Sequence, residues 1–189
     1  MNRRTFLALS LVSACAGAQR PAASRGPRTA RDWMPLRTGA AWSYDVQTGV
    51  GEDSVLSTLS VVRVDGARFL VRSGTRTETW EHRPDGVTRE GEYILKDPVR
   101  PGTTWTTRDG ATVTIRGIER ARRVGETTFR DVVEVERSNP STRITTTTWF
   151  GVDVGVVEIR ARTVSSLGTA TEVRSTIRGY SVGDAPAEE

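Results

Sequence analysis

From Trp33 onward, apolar and polar residues exchange places at every second position, and no other feature narrows the accessible folds as much. In AWSYDV, Trp42, Tyr44 and Val46 share one side while Ser43 and Asp45 share the other. Val133 and Val135 alternate with Glu134 and Glu136. Val113 goes with Ile115, Val157 with Ile159, and Val173 with Ile177. A period of two places successive side chains on opposite faces of a pleated strand, so each run reads as a strand with one buried face. The Val and Thr content of these runs agrees, because β-branched side chains suit a half-buried pleated surface. Asp65-Gly66, Asp85-Gly86 and Asp109-Gly110 separate such runs, as do VGE at 124–126, SNPS at 138–141 and SSLG at 165–168. Asp-Gly suits tight hairpins that need positive φ. No segment after the first residues carries a 3.6-residue period. The pattern predicts an all-β fold, an antiparallel meander of about ten to twelve strands that forms a sandwich or an open or half barrel.

A diverged repeat lies within this pattern. PLRTGAAWSY at 35–44 returns as PVRPGTTWTT at 98–107, with Pro, Arg, Gly and Trp in register. Gly66 and Phe69 precede TETWEHRPDGV, as Gly125 and Phe129 precede TTTWFGVDVGV. Two halves, about 35–97 and 98–182, are expected to contribute a curved run of strands each to one core. Convergence of similar hairpins on similar residues is the competing explanation. Residues 33–183 form the expected single domain, followed by a short disordered tail at 184–189.

The first residues have a different character. Arg3 and Arg4 precede an apolar run from Phe6 to Val12, then Ser13, Ala14 and the chain's only cysteine, Cys15. This is the order of a secretory signal, and the run is too short to span a bilayer. Val12-Ser13-Ala14-Cys15 resembles the lipobox of bacterial lipoproteins. The resemblance implies cleavage after Ala14, diacylglycerol on the Cys15 sulfur and an acyl chain on the new amine. NRRTFL also resembles a twin-arginine export signal, although Ala8 stands where that signal often has Lys; a general export signal remains the alternative. Residues 16–32 hold no bulky apolar residue before their end, two Pro and two Gly, so they read as a disordered tether, roughly 20 Å long as a coil.

Charge and cysteine content exclude several functions. Without Arg3 and Arg4 the 27 basic residues become 25 against 23 acidic, so the net charge falls from +4 to +2. Lys96 is the only Lys, and Arg is spread among Glu and Asp. That describes a mixed solvated surface and no nucleic-acid footprint. RGIERARR at 116–123 reads as a solvated strand edge. With Cys15 spent on lipid, the domain has no disulfide, zinc site or thiol catalyst. His82, in TWEHRPDG beside Glu81 and near Asp85, is the only histidine; it is expected at the surface, with a general base as the rival reading. No catalytic residues, metal site or cofactor are expected, since phosphate loops, nucleophile elbows and calcium loops are all absent. Trp42, Tyr44, Trp80, Trp105 and Trp149 remain as candidates, either for the core or for the wall of a hydrophobic-ligand site. Trp33 is expected to pin the end of the tether to the sheet.

Pro35, Leu36, Gly39, Trp42 and Tyr44, together with Trp149-Phe150 before GVDVGVVEI, resemble a broad group of uncharacterised bacterial secreted proteins and lipoproteins. That group often carries a further Gly in the turn here written Val152-Asp153-Val154-Gly155. The resemblance implies an envelope-exposed β-rich domain and transfers no catalytic residues. The expected function is a membrane-anchored, non-catalytic binding or scaffolding module of the cell envelope for a hydrophobic ligand. The alternatives are a structural protein that recruits an envelope partner and, last, a hydrolase built on His82.

Overall fold

The computed structural model describes residues 28–49 and 53–183; Arg3, Arg4, Cys15, most of the expected tether and the tail 184–189 lie outside the described residues. The first half contributes β1 (Ala40–Thr48), β2 (Ser54–Asp65), β3 (Arg68–Ser73), β4 (Arg76–Arg83), β5 (Gly86–Arg89) and β6 (Glu92–Lys96). The second contributes β7 (Thr104–Thr106), β8 (Thr112–Val124), β9 (Thr127–Asn139), β10 (Ile144–Gly151), β11 (Gly155–Val164) and β12 (Ala170–Val182). All twelve form one antiparallel meander, in the order β6-β5-β4-β3-β2-β1-β12-β11-β10-β9-β8-β7. The all-β expectation holds, with six strands from each half.

Local chemistry explains where the strands end. The Asp-Gly and other turn sequences fall between strands, and Gly66, Gly110 and Gly125 take φ of 57°, 78° and 59°. Asp153 has φ 59° in the turn where the resembling group carries its further Gly. A short polar side chain tolerates this left-handed region better than most.

The two outer strands of the sheet, β6 and β7, face each other without a ladder between them. Side chains bridge the seam instead. The Trp105 indole N–H donates to the Tyr93 carbonyl at 3.1 Å, and the Arg108 backbone N–H donates to the Glu92 carboxylate at 3.0 Å. The sheet is therefore strongly curled but not a closed barrel. β1 and β12 carry the equivalent junction as a true antiparallel ladder.

The folded body begins earlier than position 33. Residues 28–32, expected in the tether, dock on the sheet around a one-turn helix, α1 (Ala30–Trp33). The Asp32 carboxylate accepts the Thr29 backbone N–H at 2.7 Å, half of a capping box. Ala30 is fully buried and its N–H donates to the Asp97 carboxylate at 2.9 Å. Arg28 pairs with Asp131 at 2.7 Å, and Asp153 donates its N–H to the Asp32 carbonyl at 2.7 Å. Ala30 is the one buried residue of 28–32, and polar and backbone hydrogen bonds hold the rest, which is why apolar bulk was no guide. Trp33 does pin this segment, donating its indole N–H to the Asp131 carbonyl at 2.9 Å. With Met34 and Leu36, also buried, it stoppers one end of the curled sheet.

Candidate ligand cavity

Alternation aims one side of nearly every strand into the curl, and the space it encloses is not filled. A cavity of about 810 Å³ lies between the two halves. Its wall combines Tyr44 and Val46 of β1, Leu59 of β2, Trp80 of β4, Ile94 of β6 and Val113 of β8. Val135 of β9, Phe150 of β10, and Val156 and Ile159 of β11 complete the apolar lining. The stopper of Trp33, Met34 and Leu36 occupies the end where β1 begins and β10 finishes. Charged residues gather at the opposite end, where β4, β6 and β10 begin and β5 and β9 finish.

The predicted aromatic residues divide between wall and frame. Tyr44 lines the cavity while its hydroxyl donates to the Val156 carbonyl at 3.1 Å; burial raises its pKa far above the usual range. Trp80 lines it too, with its indole N–H 3.4 Å from the Glu78 carboxylate and the Arg89 guanidinium 5.8 Å from its ring centre. Trp42 is buried outside this cavity and donates to the Val154 carbonyl at 2.6 Å. Gly155 is needed there, since a Cβ on it would lie 3.1 Å from the Trp42 indole nitrogen. Trp105 closes the β6–β7 seam. Trp149 faces away from the cavity, on the outer side of β10.

That outer side holds a feature the sequence concealed. A bulge pairs Trp149 with Glu158 and Phe150 with Val156, leaving Val157 as the extra residue. Val156 thus shares the cavity side with Ile159, and the expected Val157–Ile159 face is corrected. Glu158 is fully buried on the opposite side. Its Oε2 accepts from Arg122 at 2.8 Å, and its Oε1 accepts from Arg160 and Arg174, each at 2.8 Å. Burial alone would push this carboxyl up; the bonds from Arg122 and Arg160 and the charges of Arg160 and Arg174 outweigh it and hold the pKa below the usual range. The Arg122 guanidinium also covers the Trp149 ring at 3.9 Å.

β8 and β11 are three strand spacings apart, about 14 Å on a flat sheet. The β8–β9 arm must therefore lean over the outer face for Arg122 to reach Glu158. A bulge between Ile115 and Gly117, and Asp131 at φ 49°, provide the bend. Beyond Thr114 the 116–123 stretch is a strand edge as expected, since β7 pairs only with Thr112–Thr114, but Arg122 turns inward.

His82 is likewise not the exposed residue expected. It is half-buried, its ring centre 4.8 Å from that of Phe69 and its Nε2 bonded to the Met34 carbonyl at 2.9 Å. The neighbouring acids are engaged elsewhere: Glu81 with Arg83 at 3.0 Å, and Asp85 with the Tyr93 hydroxyl at 2.7 Å. The imidazole holds the stopper in place and forms no acid–base pair with them.

The geometry defines a curled antiparallel sheet with one end stoppered, one end open and an apolar interior. No protein-family model matches the sequence, and no curated protein matches it. Among solved structures, the chain is similar to a candidate exported protein of YmcC-like fold from Bacteroides fragilis, at 8% identity and a TM-score of 0.42, covering 77% of this chain and 96% of that one. It is also similar to a candidate lipoprotein from Parabacteroides distasonis, at 9% identity and a TM-score of 0.39, with the same coverage.

Proposed function

We propose that this protein is a lipid-anchored binding module of the bacterial cell envelope that holds a hydrophobic ligand inside its curled sheet. The observation that carries the reading is the cavity of about 810 Å³. Protein interiors are packed as densely as organic crystals, with few voids larger than a water molecule. The chamber is open at its mouth, and a hydrophobic ligand would displace water from Trp80, Tyr44, Phe150 and the aliphatic residues of the wall, which Ser57, Thr146, Thr148 and Ser175 share. The volume falls in the range of small-molecule sites, about 300–1,000 Å³. The anchor comes from the sequence, where Cys15 ends a lipobox-like stretch.

The test is native mass spectrometry of the full chain carrying Cys15→Ala, prepared without detergent and incubated with envelope lipid extract. A bound lipid that is lost in Val135→Trp, which fills the cavity, is the expected result. Lipid retained equally by both proteins would place binding elsewhere. No bound lipid in either would favour a second reading, recruitment of a protein partner through the start of β2, where Val55 and Leu56 are 69% and 55% exposed.

A further inference from the structure

Given the cavity reading above, on which this inference rests, the charges at its open end narrow the ligand class. Arg89 is paired with Glu78 at 2.6 Å. Arg137 is paired with Asp109, whose carboxyl is also held by the Thr107 hydroxyl. Three charged side chains at the mouth have no ion partner among the described residues. Glu90 accepts the backbone N–H of Thr79, and Glu92 that of Arg108, so each carboxylate is bonded to a neutral donor and keeps further acceptor capacity. The Arg108 guanidinium lies over the turn that joins them; a Cβ on Gly91 would be 3.0 Å from Arg108 Nη2.

Arg108 thus stands over the turn between Glu90 and Glu92 at the rim of the chamber, with no direct ion pair to either. A neutral head group would leave these solvent-accessible charges to water and gain nothing from them. A purely anionic head would meet Arg108 but also both carboxylates, and a purely cationic one would meet the reverse conflict. We infer that the cavity takes a zwitterionic amphiphile, its anionic group on Arg108, its ammonium group against Glu90 and Glu92, and its hydrocarbon chain inward. Gly91 makes this arrangement accessible, because at φ 76° it brings the turn close under the guanidinium without a side chain between them.

The test compares three lipids of one acyl chain, a lysophosphatidylethanolamine, a lysophosphatidylglycerol and a monoacylglycerol, by quenching of tryptophan fluorescence in the Cys15→Ala chain. Partly exposed ion pairs are individually weak, so the zwitterion is expected to bind about fivefold more tightly than the monoacylglycerol. Arg108→Ala, and Glu90→Gln with Glu92→Gln, should each bring the zwitterion to the monoacylglycerol's affinity and leave the latter unchanged. The glutamines keep the acceptors that bond Thr79 and Arg108, so the turn is preserved. Equal binding of all three lipids, or tighter binding of the lysophosphatidylglycerol, would overturn the inference while leaving the cavity reading intact. An equal loss for all three lipids in Arg108→Ala would reduce Arg108 to a structural role and overturn it as well. Failure of every lipid to bind would remove the cavity reading itself, and the inference with it.

Discussion

Glu158 and His82 are both ionisable groups withdrawn from water, and the sheet accommodates them by opposite means. Glu158 keeps its charge because three guanidinium groups replace its hydration. Arg160 and Arg174 lie directly opposite each other on β11 and β12, a like-charge pair that would repel were the carboxylate oxygen not shared between them. His82 instead gives up its charge. Burial lowers its pKa first, the Met34 carbonyl opposes that shift, and the nearby Arg31 adds to it. A depressed folded-state pKa means that the unfolded chain takes up the proton first as pH falls. The contribution of His82 is thus fully present above the ordinary histidine value of about 6.5 and is lost as pH falls through its folded pKa. His82→Gln retains a donor for the Met34 carbonyl and does not titrate. The wild type is expected to lose thermal stability between pH 7.5 and 5 more steeply than this variant, as read from Tm at several pH values. Parallel curves would show that His82 does not govern the acid response.

At the scale of elements, the stopper is the piece whose loss would be felt most. Trp33 contributes a buried ring and a hydrogen bond to Asp131, and the two can be separated. Trp33→Ala should cost about 3 kcal/mol. For a domain of this size that corresponds to a Tm drop of roughly 6–12 °C. Trp33→Phe keeps most of the apolar area and loses the bond, for about 1 kcal/mol. Calorimetry of both variants checks the order; equal Tm values would mean that the segment is not docked in solution. Such an element was scarcely legible in the sequence, whereas the strands were. Period-two alternation and Asp-Gly turns are local signals, so the meander, its length and most turns could be read directly. Lining residues Tyr44, Val46, Val113 and Val135 follow from the same alternation. The one-turn helix α1 is too short to display a period, and its burial depends on partners about 65 to 120 positions away, Asp97, Asp131 and Asp153. The bulge at Val157 shows the other limit. It puts Val156 in place of Val157 on the cavity side with Ile159, while Glu158 stays on the outer face and is buried there by Arg122, 36 positions away, which β11 alone could not reveal.

For the whole molecule, what matters is which end of the curl would face the proposed lipid anchor. The stopper begins at Arg28, so the chain from Cys15 joins the body at the closed end, and the mouth with Arg108, Glu90 and Glu92 lies at the far end of the sheet. Twelve residues separate Cys15 from Arg28, a span of at most about 40 Å. With the proposed lipid at Cys15, the module would present its mouth away from the bilayer, toward a donor or acceptor across the gap. The proposed arrangement requires lipid at Cys15, because adhesion by charge alone would be weak: the net charge without residues 1–14 is only +2. Salt distinguishes these two modes of attachment, since it screens exposed charges beyond about 10 Å at 0.1 M and leaves an acyl anchor untouched. The wild-type chain is expected to stay with membranes washed in 1 M salt, and Cys15→Ala to appear in the soluble fraction. The variant should have the same Tm as the detergent-released wild type, because position 15 lies well before the docked segment. A Cys15→Ala chain that remained in the salt-washed membranes would mean that some other part of the molecule holds it there. The orientation of the mouth would then have to be derived from that contact instead.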